Sequence, residues 1–189
     1  VADRFVRASD FDQSLGESNN PDWKTVAYDE MSGQIVAPRG TIGFRWGESG
    51  KWNLEEKASG GAETKLRLSL KDIKDDVVDV AFPYFGNIAH EHFVSDSHAS
   101  VLQRRVPVKK LKLADGETLV ASVHVLFVAN YGVDQGLGGA NVPKSLDDDV
   151  PYTPAWAEKI TGVSRDKIIQ VAREFATNAE KTKGRSMII

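Results

Sequence analysis

The stretch that decides the fold of this chain is residues 152–189, which read YTPAWAEKITGVSRDKIIQVAREFATNAEKTKGRSMII. Thr153 followed by Pro154 is the pairing expected of a helix N-cap and a first helical residue. Gly162 is expected to end this first helix, because glycine readily adopts the left-handed backbone of a helix C-terminus. Ser164 follows as the expected N-cap of a second helix. The sequence thus predicts two capped helices in succession.

The second helix is predicted to be amphipathic. Val163 and Ile168 flank its N-cap and are expected to pack together as a hydrophobic staple. Gly184 is expected to end the helix, and residues 185–189 (RSMII) begin what reads as a buried strand. The residues that recur at helical spacing on one apolar face are Ile168, Ala172, Phe175, Ala176 and Ala179.

A helix that returns through a glycine into an apolar strand is the unit from which parallel α/β sheets are built. Ligands of such sheets lie beyond the carboxyl ends of the strands. The sequence stops within its apolar strand and starts at Val1 rather than methionine. We therefore expect a fragment of a larger protein, with any cofactor-facing segment beginning just after Ile189.

The composition is that of an ordinary folded protein. The 189 residues are 41% hydrophobic and 27% charged, and the net charge is −3. This charge gives no electrostatic reason to expect nucleic acid as a partner. The chain contains no cysteine, which excludes disulfides and thiolate ligands to metals or iron–sulfur clusters within these residues.

Strand patterns dominate the first part of the chain. Residues 25–28 and 34–37 are predicted to pair as a hairpin, and residues 43–46 and 51–54 as another. Residues 64–70 alternate, with Leu66, Leu68 and Leu70 on one face. Residues 77–85 form a denser apolar run, and residues 108–113 and 118–120 are predicted to pair across Asp115-Gly116.

The patterns divide the chain into three parts. Residues 1–121 are the β-rich part of a larger domain. Residues 122–151 comprise a helix, expected over 123–131 and ended by Gly132, and a connector rich in glycine and aspartate. Residues 152–189 are the truncated helix–helix–strand unit. The predicted fold class is a mixed α+β fragment, with hairpins first and helices leading into a parallel α/β sheet.

Two segments carry patterns that suggest ligand binding. Residues 136–141 (GLGGAN) suggest a phosphate-binding loop, but no strand precedes them and no helix follows, so a plain loop is favoured. His90 and His92 have a spacing that metals accept, with Asp96 and His98 nearby. Solvated loop histidines are favoured, because the remaining ligands of a metal site are not evident.

Three other features have ordinary interpretations. His124 lies in an apolar run, where a buried, hydrogen-bonded histidine is expected. The basic cluster of Arg104, Arg105 and Lys109–Lys112 is expected to form a solvated strand face, with Lys110 and Lys112 on the same side. Residues 147–149 (DDD) are expected to be a solvated connector rather than a cation site. No catalytic, cofactor-binding or metal-binding residue is assigned from these patterns.

Several blocks of this sequence resemble one family. They are residues 152–163, 168–176 and 184–189, with residues 43–47 and 50–54, 80–86 and 129–134. Together they resemble the molybdopterin oxidoreductase family and, within it, the catalytic alpha subunits of bacterial respiratory, membrane-bound nitrate reductases. The resemblance covers most of the chain and is weakest at 55–79 and 87–103. Val125 departs from the family, which is expected to carry an acidic residue there.

The resemblance implies what the whole protein does. It would reduce nitrate to nitrite at a molybdenum bound by two molybdopterin guanine dinucleotides, with electrons passing from quinol through iron–sulfur clusters, including a 4Fe-4S cluster. It also implies an iron–sulfur beta subunit, a membrane-anchoring cytochrome gamma subunit and a place on the cytoplasmic face of the inner membrane. The cofactor ligands of the family would lie outside these 189 residues.

Two alternatives remain open at this point. One is another molybdopterin oxidoreductase, of the formate dehydrogenase, selenate reductase or chlorate reductase type. The other is a β-rich binding module with a helical tail and no enzymatic activity. The tryptophan-containing block at residues 43–54 favours nitrate reductase over the other oxidoreductases.

Overall fold

The computed structural model describes residues 5–11, 25–39, 55–58, 61–83, 101–139, 141–182 and 186. These residues form a mixed α+β fold with antiparallel sheets, as predicted. The strands are β1 (Ala27–Asp29), β2 (Gln34–Val36), β3 (Pro38–Arg39), β4 (Glu55–Ala58), β5 (Leu66–Arg67), β6 (Asp76–Pro83), β7 (Val101–Leu113) and β8 (Gly116–Val120). The α-helices are α1 (Val123–Asn130), α2 (Pro154–Thr161) and α3 (Arg165–Lys181).

The chain divides into two compact units. The first comprises residues 1–78 and 106–127, and the second comprises residues 79–105 and 128–189. None of the helices in the described segments is both long and apolar enough to cross a membrane.

In the first unit, the predicted hairpin of β1 and β2 is confirmed, with Tyr28 opposite Ile35. Asp29, at the end of β1, is buried and fixes the turn that follows. Its carboxylate accepts hydrogen bonds from the backbone N–H groups of Met31 (3.1 Å), Ser32 (3.0 Å) and Lys65 (2.7 Å). The Ser32 hydroxyl also donates to this carboxylate, and that bond is the largest cause that lowers the pKa of Asp29 to about 2, with the backbone bonds adding to it. One carboxylate therefore joins the hairpin to the segment that enters β5.

The second part of this unit is built on β7. The Asp115-Gly116 hairpin is confirmed, with Leu113 opposite Gly116 and Lys109 opposite Val120. The core of the unit is formed by buried apolar side chains from β7, α1 and neighbouring segments. They are Ala8, Ala37, Leu70, Val106, Val108, Leu113 and Val125.

The strand predicted over residues 64–70 is much shorter than expected. Only Leu66 and Arg67 pair with a neighbouring strand, and Leu68 is 64% exposed. The prediction of a common face for Leu66, Leu68 and Leu70 is therefore wrong. Its physical reason is the 3-10 turn Lys71–Ile73, into which the backbone bends after β5, so that the alternation of a strand does not continue.

The helix predicted after β8 is confirmed as α1, and Gly132 follows it with φ of 75°. Val125, where the resemblance predicts an acidic residue, is fully buried in the first unit. A carboxylate at this position would be costly without a partner, so valine suits the surroundings that this chain provides.

In the second unit, both predicted helix caps are confirmed. The Thr153 hydroxyl oxygen accepts a hydrogen bond from the Trp156 N–H (3.1 Å), and Gly162 ends α2 with φ of 72°. Ser164 caps α3 by accepting from the Lys167 N–H. These local signals are readable from sequence because each cap needs only residues three or four positions apart.

The end of α3 differs from the prediction. The helix stops at Lys181, and the Thr182 N–H donates to the Asn178 carbonyl, whereas Gly184 lies outside the described residues. The apolar face predicted for α3 is largely open, because Phe175 is 41% exposed and Ala172 and Ala176 are exposed as well. The strand predicted over residues 185–189 and the hairpin over residues 43–54 also fall outside the described residues, apart from Ser186.

Candidate functional site

The interpretation of the histidines at residues 90–98, for which solvated loop positions were favoured over a metal site, is not tested by the structure. His90, His92, His98 and Asp96 lie outside the described residues. Within the part of the chain that the structure does describe, no group of three or more histidine, cysteine, aspartate and glutamate side chains could hold a metal ion.

His124 occupies a different environment from the one predicted. It is exposed on α1, whereas Val125 and Ala129, one helical turn apart, are buried. The expectation of a buried histidine is wrong, because a run of nearly uniform apolar residues does not reveal which face of the helix points inward.

The glycine-rich loop is confirmed as a structural loop. The Gly136 N–H, which a phosphate site would need, donates to the Asp134 carboxylate (2.7 Å). Leu137 offers its carbonyl to the Arg105 guanidinium (3.4 Å). Gly139 lies so close to β7 that a Cβ atom would be 3.2 Å from the Arg105 backbone nitrogen. Gly139 therefore allows close packing of the loop on β7.

The aspartates of residues 147–149 hold the connector together. Asp147 pairs with Arg165 of α3, and Asp149 pairs with Lys159 of α2. Asp148 accepts from the Lys144 N–H (2.6 Å) and from Ser145, and these bonds lower the pKa of its carboxyl group. The connector prediction is confirmed, and these carboxylates are engaged by cations and amides of the second unit.

The basic cluster separates into exposed and buried members. Lys110 and Lys112 are exposed on β7, as the alternation predicts. The Lys109 ammonium donates to the Ile73 carbonyl (2.9 Å) and pairs with Asp75 (3.3 Å). Asp75 also accepts from the Lys110 N–H, which lowers the pKa of its carboxyl group most.

Arg104 is the exception within this cluster, since only 1% of it is exposed. A solvated face was expected for it, and that expectation is wrong. Its Nε donates to the Ala129 carbonyl (3.2 Å), near the C-terminus of α1, where a cation suits the carbonyl end of a helix. Burial lowers the pKa of Arg104, and the neighbouring Tyr152 opposes that change.

Aromatic side chains continue this cluster within the second unit. Tyr152 meets Tyr131 edge-on, with ring centroids 5.2 Å apart, and meets Trp156 in the same way at 5.4 Å. Tyr152 has φ of 75°, an uncommon conformation for a residue with a side chain. Gly132 packs beside Arg104, and a Cβ atom there would lie 3.2 Å from Nη2.

We call Arg104, Tyr131, Tyr152 and Trp156 the Arg104 cluster. It connects β7, the end of α1 and the start of α2. It contains a permanent cation, two phenols and an indole, but no nucleophile paired with a general base. The arrangement therefore explains how the second unit is held together. Sequence reasoning missed it because the acceptor of Arg104 is 25 residues away in the chain.

Comparison with known proteins identifies the class to which this assembly of sheets and capped helices belongs. No protein-family model matches the chain. It is 55% identical over 191 residues to the respiratory nitrate reductase 1 alpha chain of Escherichia coli (strain K12), and 56% identical over 190 residues to the nitrate reductase 2 alpha chain of that organism. It is also 43% identical over 189 residues to the respiratory nitrate reductase alpha chain of Bradyrhizobium sp.

These alignments cover 98–100% of this chain but only 15–17% of the relatives. The chain therefore corresponds, along its whole length, to one segment of nitrate reductase alpha chains. The resemblance drawn from the sequence blocks is thereby confirmed.

Proposed function

We propose that residues 1–189 form a central segment of the catalytic alpha subunit of a respiratory nitrate reductase, an oxidoreductase that reduces nitrate to nitrite. The observation that carries this proposal is 55% identity, along the whole chain, to a respiratory nitrate reductase alpha chain. The matched region includes the hairpins, the connector and both capped helices, because the alignment covers the whole chain. A short shared motif alone would not produce an alignment along the whole chain.

The cofactors belong to the same proposal. The whole protein would use molybdenum bound by two molybdopterin guanine dinucleotides and a 4Fe-4S cluster. The 189 residues contain no cysteine for a cluster, and the described ones provide no metal-ligand group. We assign no residue of this segment to the ligand set of either group, and no step of the redox chemistry.

The segment instead has a structural role in the protein. The Arg104 cluster fixes the end of α1, and the aspartates of the connector join α2 and α3 by ion pairs and amide hydrogen bonds. Such contacts hold the end of α1 and the helices α2 and α3 in place within the second unit. A loss of any one of them is expected to weaken assembly before it alters the chemistry.

The proposed partners and location follow the family. An iron–sulfur beta subunit and a cytochrome gamma subunit would pass electrons from quinol, and the alpha subunit would lie on the cytoplasmic face of the inner membrane. The similarity to respiratory nitrate reductase alpha chains is the basis of this part of the proposal.

The test uses the complete open reading frame that contains residues 1–189, expressed with its partner genes in Escherichia coli lacking its own nitrate reductase alpha chains. We expect nitrite formation with a reduced viologen dye as electron donor, and anaerobic growth on nitrate. A matched control carries the same genes with residues 1–189 deleted, and it should produce no nitrite.

The alternatives give distinct results in the same assay. Formate oxidation or selenate reduction without nitrite formation would assign the protein to another oxidoreductase class. A second experiment replaces the homologous segment of the Escherichia coli nitrate reductase 1 alpha chain with residues 1–189. Retained nitrite formation would show that this segment performs the same structural role there.

A further inference from the structure

The turn that leads into α2 has a tyrosine at a position where glycine is usual. The Thr153 N–H donates to the Val150 carbonyl (3.1 Å) and closes a turn of residues 150–153. Pro151 is at the second position of this turn, and Tyr152 is at the third with φ of 75°. This is the pattern of a type II turn, whose third position requires a positive φ and favours glycine. The backbone of Tyr152 is therefore strained in this turn.

The ring of Tyr152 makes contacts that hold this conformation. It meets Tyr131, just after α1, with ring centroids 5.2 Å apart, and Trp156, in the first turn of α2, at 5.4 Å. Both contacts are edge-on, an arrangement that is favourable for aromatic pairs. A glycine would remove the strain but would make neither contact. Because a strained residue persists only where its surroundings determine its conformation, the two ring contacts act against the strain and keep the turn closed.

The segment before this turn, residues 144–151, is attached loosely to the rest of the second unit. We call it the strap. None of its residues is buried, and Leu146 is 47% exposed. Segments with few buried apolar contacts are those that open locally in native proteins. The strap therefore has the burial of a segment that opens while the neighbouring helices stay folded.

Ion pairs attach the strap to its surroundings from the solvent side. Each pair includes a side chain that is at least 63% exposed, and such pairs contribute little and weaken as salt is added. Salt is therefore expected to loosen the strap. The pairs are Lys144 with Asp134, Asp147 with Arg165 and Asp149 with Lys159.

The strap also accepts hydrogen bonds from the start of α2. The Thr153 hydroxyl donates to the Asp148 carbonyl (2.7 Å), and the Ala155 N–H donates to the Leu146 carbonyl (3.3 Å). Inside the strap, the Asp148 carboxylate accepts from the Lys144 N–H (2.6 Å). This internal bond stays intact when the strap moves as a unit, whereas the carbonyls that face α2 accept from water instead.

We propose that the strap opens and closes over the start of α2 as one local unit, with Tyr152 as the latch that keeps it closed. In the closed position, the ring contacts hold Tyr152 in its strained conformation. In the open position, its backbone relaxes to a negative φ, and its side chain leaves Arg104, which it neighbours and which is 1% exposed. The strap thereby controls the access of solvent to a buried cation.

Hydrogen exchange of the strap amides in the complete, assembled enzyme tests the latch. Tyr152→Ala removes the ring contacts and keeps the strain, so exchange should be about tenfold faster than in wild type. Tyr152→Gly removes both, so its exchange should be about threefold slower than that of Tyr152→Ala. Tyr152→Phe keeps the ring and should exchange within about twofold of wild type. The amides of the β7–β8 hairpin are the internal control and should be unchanged.

Chemical labelling of arginine tests what the strap covers. Phenylglyoxal reacts with accessible guanidinium groups, and mass spectrometry reports the labelling of each arginine. Arg104 in Tyr152→Ala should be labelled faster by the same factor, about tenfold, as the strap amides exchange. Arg105, whose side chain is 52% exposed, is the control, and its rate should be the same in all variants.

Salt provides a test that needs no substitution. Raising sodium chloride from about 0.05 M to about 0.5 M screens the exposed ion pairs and should accelerate exchange of the strap amides by about threefold. Asp149→Asn removes one of these pairs and should reduce this salt dependence. A rate that does not change with salt would contradict the role given to the ion pairs.

Other outcomes would overturn the latch itself. Equal exchange in Tyr152→Ala and Tyr152→Gly would show that the turn stores no strain. Exchange in Tyr152→Ala at the wild-type rate would show that the ring contacts do not hold the strap. Faster exchange of the strap without faster labelling of Arg104 would show that the strap does not cover this cation. Neither readout needs nitrate, so these results are independent of the proposed function.

Discussion

At the scale of single residues, Arg104 shows how a charged side chain can serve as a core element. Its Nε donates to the Ala129 carbonyl, which also accepts from the Gly132 N–H (3.0 Å). The guanidinium thus adds a charged donor to the last turn of α1, where cations are favoured. The alternation of the sequence could not predict this, because it shows which residues share a face but not which face an α-helix will cover.

Replacing Arg104 with methionine should loosen the end of α1. The substitution removes a hydrogen bond from a charged donor in a buried place, at a cost of about 1–3 kcal/mol. Hydrogen exchange in the assembled enzyme should become faster for the amides of Gly132 and Val133. Arg105→Met is the matched control, since Arg105 is half-exposed and its ion pair with Asp79 is long at 3.5 Å. The control should change exchange little, as exposed pairs contribute about 0–1 kcal/mol.

Asp29 should make the first unit sensitive to acid. Its pKa is lowered from 3.8 to about 2, so the ionised form stabilises the fold above pH 4, and this contribution is lost as the pH falls towards 2. Asp29→Asn should remove that part of the pH dependence. The measurement is the rate of pepsin digestion between pH 2 and 4, because pepsin is active at acid pH and cleaves unfolded segments.

The comparison of wild type with Asp29→Asn shows in which direction the ionised carboxylate changes the stability of the fold. Wild type should resist pepsin better than Asp29→Asn near pH 4, and the two should converge near pH 2. Asp72→Asn is the control, because Asp72 is an exposed partner of Arg67. A constant difference across the whole range would show that the carboxylate of Asp29 does not titrate with folding.

At the scale of elements, the success of sequence reasoning depended on how local each signal was. The caps at Thr153 and Ser164 and the Asp115-Gly116 turn depend on a few neighbouring residues, and all three were predicted correctly. The face of α1 and the burial of Arg104 depend on distant partners, so they could not be read from spacing. The metal interpretation of His90 and His92 stays untested by the described residues.

The two N-caps should differ in their contribution. The Thr153 hydroxyl is buried, accepts from the Trp156 N–H and donates to the Asp148 carbonyl (2.7 Å). Thr153→Ala should therefore cost about 1–2 kcal/mol, near the upper end for caps. Ser164→Ala removes an exposed and longer hydrogen bond and should cost about 0.5–1 kcal/mol. Loss of activity on heating the assembled enzyme should rank the variants in this order, and the reverse order would contradict the argument.

The glycines of the connector offer a matched pair with the same backbone angle. Gly132 has φ of 75° and Gly138 has φ of 72°. Alanine at either position would carry about 1–2 kcal/mol of backbone strain. A Cβ atom at Gly132 would also press on Arg104 and Pro143 at 3.2 Å, whereas one at Gly138 would meet nothing within 4 Å. Crowding should add about 1–3 kcal/mol for Gly132→Ala alone. The yield of assembled enzyme after a heat step should separate the two variants, and equal losses would show that strain alone decides.

At the scale of the whole molecule, the surface of these residues suits burial within a larger protein. Apolar side chains are exposed in both units, for example Leu68 and Val123 in the first and Val171 and Phe175 in the second. The α3 helix shows this well, because it is capped at its N-terminus and amphipathic while much of its apolar face lies open. An amphipathic helix gains most of its stability from the packing of that face.

Residues 1–189 expressed alone should therefore fail to form a well-packed native state. We expect poor solubility or a molten species that binds a hydrophobic dye and lacks a near-ultraviolet circular dichroism signal. In the complete enzyme, the amides of α3 should be protected from exchange, because the apolar face of the helix would be covered there. A sharp two-state melt of the isolated segment, with dispersed amide signals, would instead identify an independent binding module. That result would contradict the assignment of this segment as internal scaffold, since it would show that the exposed apolar faces need no further chain to cover them.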